Sequence, residues 1–452
     1  MNTLLSSLSS ISQLTDSEQL QKYTADSSGY PPALPSIVLR PANTEEVAAC
    51  IKACAAAHKN YTIQGGLTGL AGGACPAEGD VVISLERMNK IEEVDTIGGT
   101  AIVQAGVVLE QLQQAVLEQG WYFPLDLGAR GSCQIGGNVS TNAGGNKVFR
   151  YGTTRELVLG LEVVLPDGTV LNMLNRVIKN NTGMDLKHLF IGTEGIYGVV
   201  TRVCIRLFPK PEAVHNALVA LASFEDVAQL LKEARGSLAE LASFEVMWDN
   251  YLKAAAIATK RTVPFEGHYP IYVLMEVEGS AYGLQDKFVH FLERQIERGL
   301  LQDVIIPQNE EQAKNLWHIR DGVSEIFRTL QYFVAFDIGI PLKDMQTFID
   351  EVNQAITDQY PHAVNLFFGH LGDGNLHILT GKLKQEELEA VDDLVYQLTA
   401  KYGGSITAEH GIGRIKKSFL HYSRSQEQIQ LMRSIRQLIN PDNLLNKGRV
   451  VD

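Results

Sequence analysis

The chain has 452 residues and a formal net charge of −13, and 45% of its residues are hydrophobic. This length predicts two or three domains, and the hydrophobic fraction excludes wholesale disorder. The negative charge argues against nucleic acid as a partner, because binding to a phosphate backbone requires a basic surface.

The N-terminus, the hydropathy and the cysteines favour a cytoplasmic protein. The first residues, MNTLLSSLSS, contain no basic residue and no long apolar run, so they are not typical of a signal peptide. No stretch approaches the ~20 apolar residues of a membrane-spanning helix, although peripheral attachment to the inner membrane stays open. Five cysteines give no disulfide framework, as expected in a reducing compartment. Cys50 and Cys54 lie four apart on an apolar helix face, which favours core packing over a metal or redox role.

The N-terminal half predicts strands and helices around glycine-rich loops. Residues 34–85 indicate the order strand, helix, strand, glycine loop, strand, and Asn43 followed by Glu46 predicts the start of that helix. A second helix is predicted over Val108–Gln119, and the glycine- and asparagine-rich region Gly128–Gly145 is expected to be a loop. Further strands are predicted over 157–164 and 199–207.

The sequence after residue 208 indicates a domain boundary. Pro209 and Pro211 bracket a lysine and end any regular element. Beyond them, strands and helices alternate in a pattern typical of α+β domains. Helices are predicted after Ser223 and over 283–299, 344–360 and 426–439, and strands over 271–279 and 334–342.

Three glycine-rich segments lie close to predicted strands: IQGGLTGLAGG from Ile63, GSCQIGGNVSTNAGG from Gly131 and IGTEGIYGVVT from Ile191. Backbone amides without side chains can close around a pyrophosphate, and glycine adopts the positive φ angles that this requires. The first segment lacks the lysine of a P-loop and the following helix of a Rossmann fingerprint. One glycine loop is more often a structural turn, but three in this order predict a groove for an extended dinucleotide.

A pair of histidines flanks a turn in FFGHLGDGNLHI. If Gly372–Asn375 forms the turn, His370 and His377 leave the ends of paired strands and are close enough to share one ion. The sequence TAEHGIGRIKK adds Glu409 and His410. Two imidazoles and a carboxylate suit Zn²⁺, Mn²⁺ or Fe²⁺ with an open position for substrate. A histidine pair alone is more often structural, and the added Glu-His pair favours a metal site.

These motifs carry a family resemblance that covers about Pro35 to Val451. The glycine segments resemble the FAD-binding domain of the vanillyl-alcohol-oxidase (PCMH) type, and the second half resembles the FAD-linked oxidase C-terminal domain. Together they are similar to the FAD-dependent D-2-hydroxyacid dehydrogenases, which include D-lactate, glycolate and D-2-hydroxyglutarate dehydrogenases. The resemblance implies an α+β fold with a two-subdomain FAD-binding domain over 1–211, an antiparallel-sheet α+β substrate domain over 212–425, and a segment over 426–452 that returns to the flavin.

The resemblance also implies the cofactor and its residues. FAD is expected to bind non-covalently, because Leu67 stands where some relatives carry the histidine that attaches the flavin. Cys133 near the flavin groove leaves covalent attachment as a weaker alternative. The residues that the resemblance assigns to FAD are Gln64, Gly65, Gly66, Leu67, Thr68, Gly69, Leu70, Gly136, Gly137, Asn138, Thr141, Asn142, Gly144, Gly145, Tyr151, Gly152, Glu194, Gly195, Gly198, Val199 and Asn446.

In the same way, the resemblance makes His370, His377 and Glu409 the ligands of a divalent metal, Zn²⁺ first, and His410 the catalytic base. Oxidation of a 2-hydroxy acid removes a hydroxyl proton and a hydride from C2. A cation at the hydroxyl oxygen stabilises the developing charge, a neutral histidine accepts the proton, and flavin N5 accepts the hydride.

Arg320, on a predicted helix, corresponds to the arginine that binds the substrate carboxylate in the family, and its planar fork suits that task. Ser324, one turn later, corresponds to a serine or threonine of relatives. The alternative for Arg320 is a surface charge paired with Asp321 or Glu325.

Two positions depart from the relatives that act on hydroxyglutarate: Ala335 and Leu379 replace a lysine and an asparagine. Both changes remove polar contacts to a distal carboxylate, so we expect a smaller or less polar substrate, D-lactate first. The alternatives are a D-2-hydroxyglutarate dehydrogenase, a flavin-linked alcohol or sugar-acid oxidase that uses O₂, and a flavin subunit without catalysis. The expected electron acceptor is a quinone, a cytochrome or an electron-transfer flavoprotein, and a homodimer is one option for the assembly.

Overall fold

The computed structural model describes residues 8–452, so seven of the residues on which the signal-peptide prediction rests lie outside the described part. The chain divides into two compact units. The first unit contains the chain up to Gly145, residues 152–210 and residues 409–452, and the second contains 146–151 and 211–408. Among the described helices, none has the length and apolar character needed to cross a membrane.

The first unit is built on two sheets. In the smaller sheet, three neighbouring strands are parallel, and the N-terminal strand is antiparallel to them. Its strands, in spatial order, are Ser12–Leu14, Ile37–Arg40, Val81–Ser84 and Tyr61–Gln64. The larger sheet is antiparallel throughout, and its strands, in spatial order, are Ile91–Asp95, Thr100–Gln104, Val199–Arg206, Val158–Val164 and Val170–Met173. A short antiparallel pair joins Trp121–Tyr122 to Phe208–Pro209.

The helices predicted for the first unit are present close to their predicted positions, and one further helix lies in a region expected to be a loop. The Asn43 side chain accepts a hydrogen bond from the Glu46 amide at 2.8 Å, as the predicted cap requires. Cys50 and Cys54 are fully buried in the core of the smaller sheet, which confirms that they pack there. This further helix is Ile135–Thr141. The α-helices are Ser17–Leu20, Thr44–Ala56, Leu109–Leu117, Ile135–Thr141, Thr154–Leu157 and Gln426–Ile439, with 3₁₀ turns at Gln21–Tyr23, Leu186–Leu189 and Lys417–Tyr422.

The second unit is a seven-stranded antiparallel sheet with helices packed on it. Its strands, in spatial order, are Asp303–Ile305, Ala213–Leu221, Ile271–Gly279, Leu241–Trp248, Val364–His370, Asn375–Gly381 and Phe333–Gly339. Its α-helices are Val148–Tyr151, Phe224–Ser237, Asp249–Ala258, Leu284–Glu297, Glu310–Arg320, Val323–Phe327, Met345–Gln359 and Leu388–Lys401, with 3₁₀ turns at Leu342–Asp344, Leu371–Asp373 and Gln385–Glu387.

The strand register of this sheet places several polar side chains on one face. Directly paired residues share a face, because side chains alternate along each strand. Glu245 pairs with His370, and His377 pairs with Phe368 on one side and Asp337 on the other. The sheet therefore collects two histidines and two acids in neighbouring positions.

The segment 146–151 is anchored to the same sheet by buried charges. The Lys147 ammonium is ion-paired with Glu276 and lies 2.7 Å from Glu278. The Tyr151 hydroxyl donates to Glu278 at 2.6 Å. Because a buried charge requires a partner, these contacts fix the segment on strand Ile271–Gly279.

Candidate active site

Within the first unit, the structure brings the three glycine-rich segments together. A Cβ on Gly66 would lie 2.1 Å from the Ser132 carbonyl oxygen, so only glycine permits the first segment to approach the second this closely. The third segment joins the second by two backbone hydrogen bonds, which its residues 192 and 194 donate to the carbonyls of Val139 and Ser140 at 3.0 and 2.7 Å. The predicted groove segments are therefore neighbours in space.

The C-terminal tail connects the first and third segments through Asn446. Its Oδ1 accepts from the Ile63 amide at 3.0 Å, and its Nδ2 donates to the carbonyls of Glu194 and Gly195 at 3.3 and 3.0 Å. Asn446 has φ of 45°, a left-handed conformation that asparagine tolerates better than most residues. Arg449 adds a bond from Nε to the Gly73 carbonyl at 2.6 Å. The tail is thus part of the glycine-segment cluster.

The residues around this cluster fit an elongated ligand that donates hydrogen bonds. The Oε1 atoms of Gln64 and Gln134 are buried and have no hydrogen-bond partner within the described part of the chain. A buried acceptor without a partner costs about 1–3 kcal/mol, so a ligand that donates to these atoms is stabilising. A Cβ on Gly137 would meet nothing within 4 Å, which leaves open space beside the second segment. The ribityl hydroxyls and ring N–H of FAD match these requirements.

Other residues predicted to bind FAD already use their side chains within the protein. The Asn142 side chain accepts from the Thr153 hydroxyl and the Arg155 amide at 3.0 and 2.8 Å. The buried Asn138 donates to Cys133 Sγ at 3.7 Å. Tyr151 contacts Glu278 in the second unit. These side-chain bonds hold the backbone of their segments in place.

The remaining predicted FAD residues lie on the same three segments, except Gly152, which follows the second segment. Leu67 has φ of 58°, Thr68 is half-buried and Leu70 is 45% exposed. The Thr141 hydroxyl donates to the Gly137 carbonyl at 3.1 Å. The other members are Gly65, Gly69, Gly136, Gly144, Gly145, Gly152, Gly198 and Val199, of which Gly145 and Gly152 have positive φ.

Glu194 has a role that the sequence did not indicate. Its two carboxylate oxygens accept hydrogen bonds from the amides of Ile412 and Gly413 at 2.6 and 2.7 Å. Burial raises the pKa of Glu194 although these amides oppose the shift. Its carboxylate therefore holds the loop that begins with Glu409 and His410.

The two histidines lie at the ends of paired strands, as predicted. Strands Val364–His370 and Asn375–Gly381 form a hairpin whose turn uses Gly374 with φ of 83°. The centroids of the His370 and His377 rings are 5.3 Å apart. His370 is buried and His377 is half-buried, so both imidazoles are largely shielded from water.

Glu409 directly follows Ala408, the last residue of the second unit, and Ala408 is bonded to the strand that pairs with His377. The Ala408 amide donates to the Asp337 carbonyl at 3.1 Å, and Asp337 pairs with His377. His370 and His377 of the second unit each offer a ring nitrogen, and Glu409, at the start of the C-terminal segment of the first unit, offers a carboxylate oxygen. The set of two nitrogens and one carboxylate oxygen suits a divalent transition metal. His410, the next residue, is half-buried.

Arg320 is not the surface charge of the alternative interpretation, because it is only 6% exposed. Its Nε and Nη2 donate to Glu245 Oε2 at 2.9 and 2.6 Å, and its Nη1 donates to Asp321 at 3.2 Å. Burial opposes the positive charge of Arg320, but Glu245 and Asp321 outweigh it and raise the pKa of the guanidinium. Ser324 lies one turn later and is exposed.

Glu245 is the site residue that the sequence analysis missed. Its carboxylate is 1% exposed and lies within 2.9 Å of both Arg320 and His370 Nδ1. Burial would raise the pKa of Glu245, but the charge of Arg320 and the contact with His370 keep it below its usual value. A single acid in the apolar strand LASFEVMW was the signal that pointed to a buried partner.

Comparisons with known proteins give two family matches. Residues 35–174 match a family described as FAD binding domain, and residues 210–450 match one described as FAD linked oxidases, C-terminal domain. The D-2-hydroxyglutarate dehydrogenase, mitochondrial, of Bos taurus is 40% identical over 442 residues, which are 97% of this chain and 81% of the relative. The D-2-hydroxyglutarate dehydrogenase of Xanthomonas citri pv. viticola is 39% identical over 92% of this chain and 89% of its own length.

Solved structures agree with the α+β fold predicted for the two halves. p-Cresol methylhydroxylase with substrate bound has a TM-score of 0.80 at 16% identity, over 100% of this chain and 97% of the other. The 4-ethylphenol oxidase from Gulosibacter chungangensis has a TM-score of 0.76 at 18% identity, over the same shares of the two chains. At these identities the likeness establishes the fold alone, which is the vanillyl-alcohol-oxidase-type fold expected from the glycine segments.

Proposed function

Because this chain belongs to the FAD-dependent D-2-hydroxyacid dehydrogenases, which are FAD-linked oxidoreductases acting on CH–OH donors, we propose that its own substrate is a D-2-hydroxy acid with a short or apolar side chain, D-lactate first. The product is the corresponding 2-oxo acid. D-2-Hydroxyglutarate is the second candidate, because it is the substrate in the names of the relatives above.

The observation that carries the choice of substrate is the strand pair beside the histidines. Ala335 pairs with Leu379. This pair lies two residues along the strands from the pair of Asp337 and His377, and both pairs lie on the same face of the sheet. Two residues along a strand span about 7 Å, so this second pair lies within reach of a substrate side chain. Leu379 is buried in an apolar cluster, and Ala335 has no polar group. A distal carboxylate would find no donor in either side chain.

The chain's own residues supply binding and proton transfer. We assign FAD to the glycine segments and Asn446, and a divalent metal, Zn²⁺ first, to His370, His377 and Glu409. When bound, FAD supplies a hydride acceptor, and the metal supplies a Lewis acid. Arg320, already fixed by Glu245, orients the substrate carboxylate, with Ser324 as a second polar group. His410 accepts the proton of the C2 hydroxyl.

The test is anaerobic reduction of the bound flavin by D-lactate, L-lactate, glycolate and D-2-hydroxyglutarate, followed by absorbance. We expect D-lactate to exceed D-2-hydroxyglutarate in kcat/KM by about 10-fold or more, since a distal carboxylate left without a hydrogen-bond partner costs about 1–3 kcal/mol. A preference for D-2-hydroxyglutarate would contradict the proposed substrate. A high yield of peroxide in air would favour the oxidase alternative, and no flavin reduction by any acid would favour a non-catalytic subunit.

A further inference from the structure

We propose that Glu245 is a positioning residue of the metal site, which keeps His370 Nε2 ready for a divalent cation and neutralises the charge of Arg320. The inference rests on the metal site of the proposed function and extends it to a residue outside the ligand set. It concerns three side chains of the second unit, Glu245, His370 and Arg320.

The first argument is the geometry of the pair formed by Glu245 and His370. The two residues are direct partners on neighbouring strands, and the Glu245 oxygens lie 2.9 and 2.8 Å from His370 Nδ1. An ionised carboxylate can only accept hydrogen bonds, so Nδ1 is the nitrogen that carries the proton. The lone pair of the neutral ring is then on Nε2, the nitrogen with which His370 would bind a cation.

The second argument is the charge of Arg320. Its Nη2 lies 2.6 Å from Glu245 Oε2 and 3.1 and 3.3 Å from the two ring nitrogens of His370. A guanidinium keeps its proton in proteins, so Arg320 is a fixed positive charge beside the proposed ligand. Like charges at this distance repel strongly in a buried setting. The negative charge of Glu245 offsets Arg320 and so lowers the cost of a cation nearby.

A purely structural ion pair between Glu245 and Arg320 is the competing explanation, and a matched variant separates the two. Glu278 is also a buried acid of this sheet, but its carboxylate bonds to Lys147 and Tyr151. Glu278→Gln therefore removes a buried charge in the same sheet without changing a bond to His370. Glu245→Gln keeps the shape of the side chain and removes the charge that faces His370 and Arg320.

The experiment measures the Zn²⁺ affinity of the 452-residue chain, stripped of metal, by competition with a chromogenic chelator. Loss of a carboxylate behind a metal-binding histidine typically weakens metal affinity about 10–100-fold, and we expect this range for Glu245→Gln. We expect Glu278→Gln to bind Zn²⁺ as the wild type does, and thermal unfolding without metal reports the stability of both variants.

The outcomes separate the positioning role from the metal site itself. If the wild type binds Zn²⁺ and Glu245→Gln binds it equally well, Glu245 has no positioning role and the proposed metal site stands. An equal loss of affinity in both variants also overturns the role, since it would reflect general destabilisation. A wild type that binds no Zn²⁺ overturns the metal site, and the positioning role with it.

A second measurement needs only the wild-type protein. ¹⁵N NMR of the metal-free chain distinguishes the two histidine tautomers, and His370→Asn assigns the signal. We expect the proton on Nδ1 of His370. A proton on Nε2 would overturn the proposal even if Glu245→Gln does not fold.

Discussion

The side-chain amide of Asn446 joins residues that lie far apart in the sequence. It accepts from the Ile63 amide, 383 residues away, and donates to two carbonyls of the third glycine segment. The residue is 3% exposed, so water cannot replace these bonds. Asn446 therefore determines how closely the tail holds the first and third segments.

Asn446→Ala should lower both stability and flavin retention. It removes three hydrogen bonds and leaves buried polar groups without partners, which should cost about 1–3 kcal/mol in total. Thermal unfolding and the FAD content after gel filtration measure the two effects. We expect a lower Tm and weaker retention of FAD than in the wild type.

The matched control is Asn443→Ala. Asn443 also has a left-handed backbone, with φ of 51°, so alanine meets the same conformational penalty there. Its Oδ1 is buried without a hydrogen-bond partner in the described part of the chain. Equal losses in the two variants would show that backbone strain, and not the bonds of Asn446, causes the effect.

At the scale of elements, the sequence predicted most strands and helices because their patterns are local. The predicted helix 426–439 and strand 271–279 have the observed bounds. The helix Ile135–Thr141 was missed because glycine and asparagine dominate its sequence, although the buried Ile135 and Val139 have helical spacing. Tertiary packing there overrides the low helix propensity of glycine.

Residue partners were harder to predict than elements. The two histidines and Glu409 were proposed as ligands because each lies in a distinctive motif. Glu245 was missed because its partner His370 is 125 residues away and strand order cannot be read from a single strand. For the same reason the sequence could not show that Glu194 accepts a hydrogen bond from the Ile412 amide, which lies 218 residues further along the chain.

The edge strand Phe333–Gly339 allows a direct test of substrate choice. Ala335 is exposed, so a longer side chain should be tolerated without loss of folding. Ala335→Lys introduces the cation that the family resemblance assigns to this position in dehydrogenases of hydroxyglutarate. We expect kcat/KM for D-2-hydroxyglutarate relative to D-lactate to rise by about 10-fold or more, in line with a charged hydrogen bond of about 1.5–3 kcal/mol.

Ala335→Met is the control for length without charge. It should leave the ratio of the two kcat/KM values unchanged. If methionine and lysine shift the ratio equally, side-chain volume explains the effect and the argument from the missing cation fails.

At the scale of the whole molecule, all five cysteines lie in the first unit, which also carries the glycine segments. All five are buried free thiols. Burial raises the pKa of each thiol, to about 12 for Cys54 and about 11 for Cys204. Because the thiolate is the reactive form, the native protein should react slowly with thiol reagents at neutral pH. Cys133 is one of these buried thiols, and its raised pKa argues against its use as an attachment point for the flavin.

The rate of thiol labelling therefore reports how often the first unit opens, and bound FAD should suppress that opening. A ligand that binds only the folded unit lowers the open population by a factor of 1 + [L]/Kd, or about 100-fold at 100 times Kd. When opening and closing are faster than the labelling reaction, the labelling rate follows the open population. We then expect added FAD to slow thiol labelling by about this factor. Riboflavin at the same concentration is the control, because it lacks the pyrophosphate and adenine that the glycine segments are proposed to bind. Labelling that is fast in the native protein, or equally slow with riboflavin and FAD, would contradict a dinucleotide groove in this unit.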